Sequence, residues 1–73
     1  MKYVVVIEKA ESNYAAYSPD VPGCIATGKT PEETLAEYKE ALKMHLIGLK
    51  EDGLSLPAPS ARVEYVVIQE ATG

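Results

Sequence analysis

The sequence contains one cysteine and one histidine, and this scarcity limits the chemistry available to its side chains. Cys24 alone cannot form an intrachain disulfide or build a cysteine-based zinc site, so we expect a reducing, cytoplasmic location. A Cys-His nucleophile pair would have to combine Cys24 with His45. We expect instead that Cys24 packs as a small apolar residue beside a turn and that His45 flanks a buried stripe of helix.

Positive charge and long apolar runs are also scarce. Seven basic residues face eleven acidic ones, giving a net charge of -4, whereas nucleic-acid-binding proteins usually carry the opposite balance. An acidic domain is better suited to a basic protein partner, because complementary charge speeds association. After Lys2 only five apolar residues precede Glu8, too few for a signal peptide or a membrane span.

No grouping of residues predicts a catalytic, cofactor or metal site. Asp20, Glu8 and Glu70 fall at the ends of predicted strands or turns, and no spacing brings their carboxylates into one cleft. Gly23 and Gly28 do not form a glycine-rich phosphate loop. We therefore expect a binding protein rather than an enzyme, with no cofactor and no metal.

Residues 17–31 form the densest cluster of turn signals. Pro19 and Pro22 bracket Asp20 and Val21, and Gly23 follows, free to adopt a positive φ angle. We predict that the turn of Pro19, Asp20, Pro22 and Gly23 is structural.

The order of the predicted elements is β-β-β-α-β in a single domain covering residues 1–73. Strands are predicted at residues 3–7, 14–17 and 23–27, and a fourth at residues 62–69. Thr30 as the N-cap, Pro31 and Glu33 begin a helix that should run to about Glu51 and end at Gly53. Because the three strands form a meander and the helix returns the chain, the fourth strand should lie parallel to the first. The expected α+β fold is one helix packed on a four-stranded mixed sheet of order 3-2-1-4.

The predicted helix has a stripe for the sheet and a less ordinary outer face. Its sheet stripe should comprise Leu35, Tyr38, Leu42, Leu46 and Leu49. On the outer face, Met44 and Ile47 lie among charges from Glu40, Lys43 and Glu51. These five residues are either a solvated surface with two stray apolar side chains or a partner-binding patch with a polar rim.

A family resemblance adds to this interpretation. The run Pro19-Asp20-Val21-Pro22-Gly23-Cys24 precedes Gly28, Thr30, Glu33 and Leu35, and then Ala41-Leu42, Leu56-Pro57 and Pro59-Ser60. This pattern resembles the HicB-like antitoxin family over nearly the whole chain. The resemblance implies a degraded ribonuclease-H-like fold without nuclease acids, and a partner called HicA, a small basic toxin that cleaves mRNA. Many members also carry a C-terminal DNA-binding domain, and the sequence after the predicted fourth strand is too short for one.

The leading functional hypothesis is an antitoxin-like protein that neutralises a HicA-type toxin by masking its active site. The first alternative is a homo-oligomeric structural or regulatory domain without a toxin. A third is a hydrolase that retains magnesium-dependent ribonuclease-H chemistry. In either binding role we expect a homo-oligomer, dimer or tetramer, because one helix cannot cover both faces of the sheet in so short a chain.

Overall fold

A computed structural model describes residues 1–70, which form a three-stranded antiparallel sheet and one helix. The strands are β1 (Val6–Lys9), β2 (Tyr14–Ser18) and β3 (Val21–Gly28), in the order β1-β2-β3, and the helix α1 is Pro31–Glu51. β1 and β2 pair from Val6 opposite Tyr17 to Lys9 opposite Tyr14. The meander and the helix therefore follow the predicted order.

β3 contains an irregularity that explains its burial pattern. Tyr17 lies opposite Ile25, yet the next residue, Ser18, lies opposite Val21, so the register shifts between Tyr17 and Ser18. Gly23 lies in this β-bulge and has a φ angle of +83°, which residues with a Cβ atom rarely adopt. As a result Val21 and Cys24 are both buried on the helix side, although their spacing of three would place them on opposite faces of a regular strand.

The helix begins and ends where the sequence indicates. The Oγ1 atom of Thr30 accepts a hydrogen bond from the backbone N–H of Glu33 at 3.0 Å, and Pro31 fills the first helical position. At the other end Gly53 has a φ angle of +72°, and its N–H donates to the carbonyl of Lys50. Both boundaries agree with the prediction because capping depends on residues adjacent in sequence.

The core between sheet and helix is small. Within residues 1–70 its buried apolar members are Ala16, Val21, Cys24 and Tyr38. Cys24 thus packs in the core as expected, and His45 is half-buried on the helix. Burial, followed by the effect of the neighbouring Cys24 thiol, raises the pKa of Tyr38 to about 12, so its hydroxyl stays protonated.

The predicted helix stripe is partly wrong. Thr34 and Tyr38 are fully buried, and Ala41 and Leu42 pack against the core, whereas Leu35 is 46% exposed. At 100° per residue, this places the centre of the contact on the side of Thr34 and Tyr38, with Leu35 at its margin. Thr34 is not a large apolar residue and was therefore not part of the predicted stripe. Its hydroxyl can be buried because it donates to the carbonyl of Thr30 at 2.6 Å.

The predicted four-stranded sheet is also wrong. Residues 62–70 form no strand with β1, and every one of them is exposed, including Tyr65 at 90% and Val67 at 94%. The radius of gyration, 15.3 Å, exceeds the about 11 Å expected for a compact chain of this length. The apolar pattern of residues 62–69 shows a preference for extended structure, but the preference alone does not determine where the partner strand lies.

Candidate protein-binding surfaces

Asp20 joins the β2–β3 turn to the segment that follows the helix. Its Oδ2 atom accepts hydrogen bonds from the backbone N–H groups of Ser60 and Ala61 at 2.9 and 2.8 Å, and its Oδ1 atom accepts one from the Ser60 hydroxyl at 2.8 Å. Hydrogen bonds from Ala61 and then Ser60 lower the pKa of this carboxyl. We call this arrangement the Asp20 clamp.

A second contact fixes the same segment. The hydroxyl of Tyr3 donates a hydrogen bond of 2.5 Å to the carbonyl of Pro57. Both contacts lie at the end of the sheet where β1 starts, because Val6 lies opposite Tyr17 and Asp20 follows three residues later. The chain is therefore held at this end up to Ala61, and residues 62–70 project beyond it.

The clamp was not foreseen from the sequence. The sequence predicts a structural turn that includes Asp20, but it predicts no hydrogen-bond partner for the Asp20 carboxylate. Aspartate commonly binds backbone N–H groups in turns, which is a weak signal for such a role. Its partners are 40 and 41 residues away in sequence, and no local spacing identifies them.

The helix patch, defined as Glu40, Lys43, Met44, Ile47 and Glu51, lies on the surface. Met44 is 72% exposed and Ile47 is 49% exposed, and both lie away from the core side of the helix. Being three residues apart, they are neighbours on one face. The helix patch therefore presents two adjacent apolar side chains with acidic and basic groups around them, which is the composition of a small protein contact.

The face of the sheet away from the helix presents a second apolar surface. Ile25 on β3 is 64% exposed and lies opposite Tyr17 on β2. The Glu8 carboxylate, a nearby acceptor with a negative charge, raises the pKa of Tyr17. No element within residues 1–70 covers this face, so it too is available to a partner.

Within residues 1–70 there is no group of three or more histidine, cysteine or acidic side chains arranged to hold a metal ion. Residues 1–70 form no pocket. The helix among them lacks the apolar length needed to cross a membrane.

Comparison with known proteins identifies the family. The model of the HicB-like antitoxins of bacterial toxin–antitoxin systems matches residues 3–72. The chain belongs to the HicB-like antitoxin family. The resemblance inferred from the residue pattern around Pro19 to Cys24 is thereby confirmed.

Individual relatives of this HicB-like chain support the assignment. An uncharacterized 14.9 kDa protein of Haemophilus phage HP1 is 38% identical over 66 residues, 90% of this chain and 50% of the phage protein. Antitoxin HicB 2 of Photorhabdus laumondii is 36% identical over 67 residues, 92% of this chain and 48% of that antitoxin. The chain therefore spans about half the length of these two relatives.

A solved structure has a similar fold. A chain in a HicA3 and HicB3 toxin-antitoxin complex superimposes with a TM-score of 0.70 at 30% identity. The match covers 82% of the HicB-like chain and 70% of the chain in the complex.

Proposed function

We propose that this HicB-like chain is an antitoxin that binds a small, basic HicA-type toxin and neutralises it by covering its active site. Membership of the HicB-like antitoxin family is the observation that carries the proposal. The similar fold found in a HicA3 and HicB3 toxin-antitoxin complex supports a partner of this class. Masking requires only a complementary surface on this chain and no catalytic group of its own.

The charge of the chain supports the choice of a basic partner. Its net charge is -4, and opposite net charges accelerate association. Charges on the rim of a contact mainly affect the association rate, whereas buried apolar anchors contribute most of the affinity. We therefore assign anchoring to Met44 and Ile47 of the helix patch, and steering to the overall acidic charge.

The decisive experiment measures RNA cleavage by a purified HicA-type toxin with increasing amounts of this protein. We expect cleavage to stop at a fixed molar ratio, and the complex to weaken as salt screens the opposite charges. If the toxin still cleaves RNA at saturating concentrations of the protein and no complex forms on size-exclusion chromatography, the chain does not neutralise this class of toxin.

A double variant tests the helix patch. Met44→Ser with Ile47→Ser should reduce toxin affinity by several kcal/mol if both are anchors, and should keep the melting temperature, since neither side chain enters the core. Leu35→Ser is a matched control, because Leu35 is also partly exposed and lies about 180° around the helix from Met44. If the double variant binds the toxin as tightly as the parent does, the helix patch is not the contact. The open face of the sheet, where Tyr17 and Ile25 lie, would then be the proposed contact.

A further inference from the structure

We propose that residues 62–68 of one copy of this chain add as a strand to the free edge of β1 in a second copy, antiparallel and reciprocally. The proposal concerns association between copies and does not depend on the proposed antitoxin function. The sheet of each subunit, taken alone, remains three-stranded. Four observations support it: the exposed segment, the free edge, the direction imposed by the Asp20 clamp, and the register of side chains.

The segment is apolar, extended at its start and exposed. Tyr65, Val66, Val67 and Ile68 are between 77% and 94% exposed, a continuous apolar run that contacts almost nothing within its own chain. Arg62 and Glu64 form an ion pair of 2.8 Å between Nε and Oε1. Side chains two residues apart lie on the same side of an extended backbone, so this pair indicates the conformation of a strand without a partner.

β1 provides a free edge that is suited to such a strand. It is at one end of the strand order β1-β2-β3 and pairs with β2 alone within the described residues. Residues 3–5, which precede it, are half-buried and apolar, and residues 3–9 contain no proline. β3, the strand at the other edge, carries Pro22, which cannot donate a backbone hydrogen bond.

The Asp20 clamp determines which copy can be the antiparallel partner. It holds Ser60 and Ala61 at the end of the sheet where β1 starts. A segment that leaves this point along its own β1 must run parallel to it. To run antiparallel to its own β1, the chain would first have to travel the length of that strand, about 23 Å for seven residues. No residues lie between Ala61 and the segment to span this distance. Antiparallel addition therefore requires β1 of another copy.

Side-chain register favours the antiparallel arrangement. Placing Tyr65 opposite Val5 also places Val63 opposite Ile7 and Val67 opposite Tyr3. Tyr3, Val5 and Ile7 all pack against the core on the helix side, so the added side chains would extend that core.

The charges at the end of the strand agree with the same register. On the face away from the helix, the antiparallel register places Arg62 opposite Glu8, a pair of opposite charge. A parallel strand of the same copy would instead start with Arg62 near Lys2, a pair of like charge. Moving the antiparallel register by two residues in one direction would place Glu64 opposite Glu8, a pair of like charges, and in the other direction would place Arg62 opposite Val6 and lose the pair with Glu8.

Reciprocal addition closes the assembly at two copies. Each chain donates one segment and accepts one, so a two-fold dimer leaves neither an exposed segment nor a free β1 edge. Sedimentation of the full chain at tens of micromolar should give twice the mass of 7.9 kDa. Val67→Lys should weaken dimerisation by at least about tenfold, because it places a charge where the core of the second copy would be extended.

Ile47→Lys is the matched control, since it adds the same charge at an exposed residue of the helix. It should leave the dimer intact, and circular dichroism should show both variants folded. Dimers weakened by Ile47→Lys and not by Val67→Lys would overturn the proposal in favour of the helix patch. A parent protein that sediments as a monomer would also overturn it.

The contact itself can be observed by NMR in a dimer refolded from equal amounts of isotope-labelled and unlabelled chains. Isotope-filtered spectra should show nuclear Overhauser effects between Val67 of one chain and Tyr3 of the other. The same effects found only within a chain would show that the segment pairs with its own β1. Their absence would show that the segment stays unpaired, and either result refutes strand exchange.

Discussion

At the scale of single residues, the charge of Asp20 helps to hold the segment after the helix against the β2–β3 turn. Hydrogen bonds from Ala61 and Ser60 lower its pKa below the ordinary value of 3.8. A carboxyl whose pKa is lower in the folded chain than in the unfolded chain stabilises the fold fully above its unfolded pKa. That contribution is lost as the pH falls through the folded value. The clamp should therefore weaken below about pH 4.

We predict that Asp20→Asn makes the stability of the protein less dependent on acid. Urea unfolding of the parent and the variant at pH 6 and pH 3 measures this directly. Asparagine retains one acceptor oxygen but cannot titrate, so the variant should be less stable at pH 6 and should lose less stability on acidification. An equal loss of stability in both proteins would mean that other carboxyls account for the acid sensitivity.

Residue-level prediction succeeded where the cause is local. Gly23 was predicted in a turn and Gly53 at the end of the helix, and both have the positive φ angles that few other residues adopt. Leu35 was assigned to the sheet side and is half exposed, since helical periodicity locates a face only to within one neighbouring residue. The predicted partner-binding residues of the helix patch are exposed, and their role in binding stays a prediction.

At the scale of secondary-structure elements, the close approach of β3 to the helix constrains Gly28. A Cβ atom on Gly28 would lie 2.6 Å from Thr34 Oγ1, 2.9 Å from Thr34 N and 3.0 Å from Thr34 Cα. Two of these atoms belong to the backbone of the first helical turn and cannot rotate away. The strand and the helix can meet at this distance only because residue 28 has no side chain.

We predict that Gly28→Ala destabilises the protein by about 1 to 3 kcal/mol through overpacking. Gly48→Ala is the matched control, because its Cβ atom would have no heavy atom within 4 Å and alanine favours helix by about 1 kcal/mol. Thermal unfolding followed by circular dichroism should give shifts of opposite sign for the two variants. A neutral Gly28→Ala would show that the helix moves away from β3 at little cost.

Secondary-structure elements were predicted correctly where nearby residues determine them and wrongly where a distant partner does. The helix from Pro31 to Glu51 could be placed from its capping residues, and the meander from its turns. The fourth strand was wrongly placed, because the apolar pattern of residues 62–69 is the same whether the strand pairs within the chain or projects from it. Neither strand propensity nor residue spacing indicates which sheet edge residues 62–69 would join.

At the scale of the whole molecule, the chain leaves much apolar surface uncovered. Its buried apolar core within residues 1–70 is limited to Ala16, Val21, Cys24 and Tyr38, while Ile25, Met44 and Val67 are largely exposed. A small domain buries a lower fraction of its surface than a large one, and association is a common way to bury more. The thin core could be anticipated from length and composition, whereas the exposed apolar surfaces could be located only in the structure.

The contact between Tyr3 and Pro57 has a consequence for the order in which the chain folds. The strands and the helix are joined by short connections, so their contacts close small loops and should form early, even during synthesis. The Tyr3 hydrogen bond instead spans 54 residues, and its acceptor is made only after the helix is complete. Such a contact should be absent from the folding transition state.

Tyr3→Phe removes this hydrogen bond and should therefore act on the unfolding rate. With a net loss of about 1 kcal/mol, stopped-flow measurements should show unfolding about fivefold faster and refolding unchanged. A slower refolding rate would place the pairing of the two distant segments before the barrier. If unfolding alone accelerates, this contact forms after the folding barrier, and it lengthens the lifetime of the folded chain.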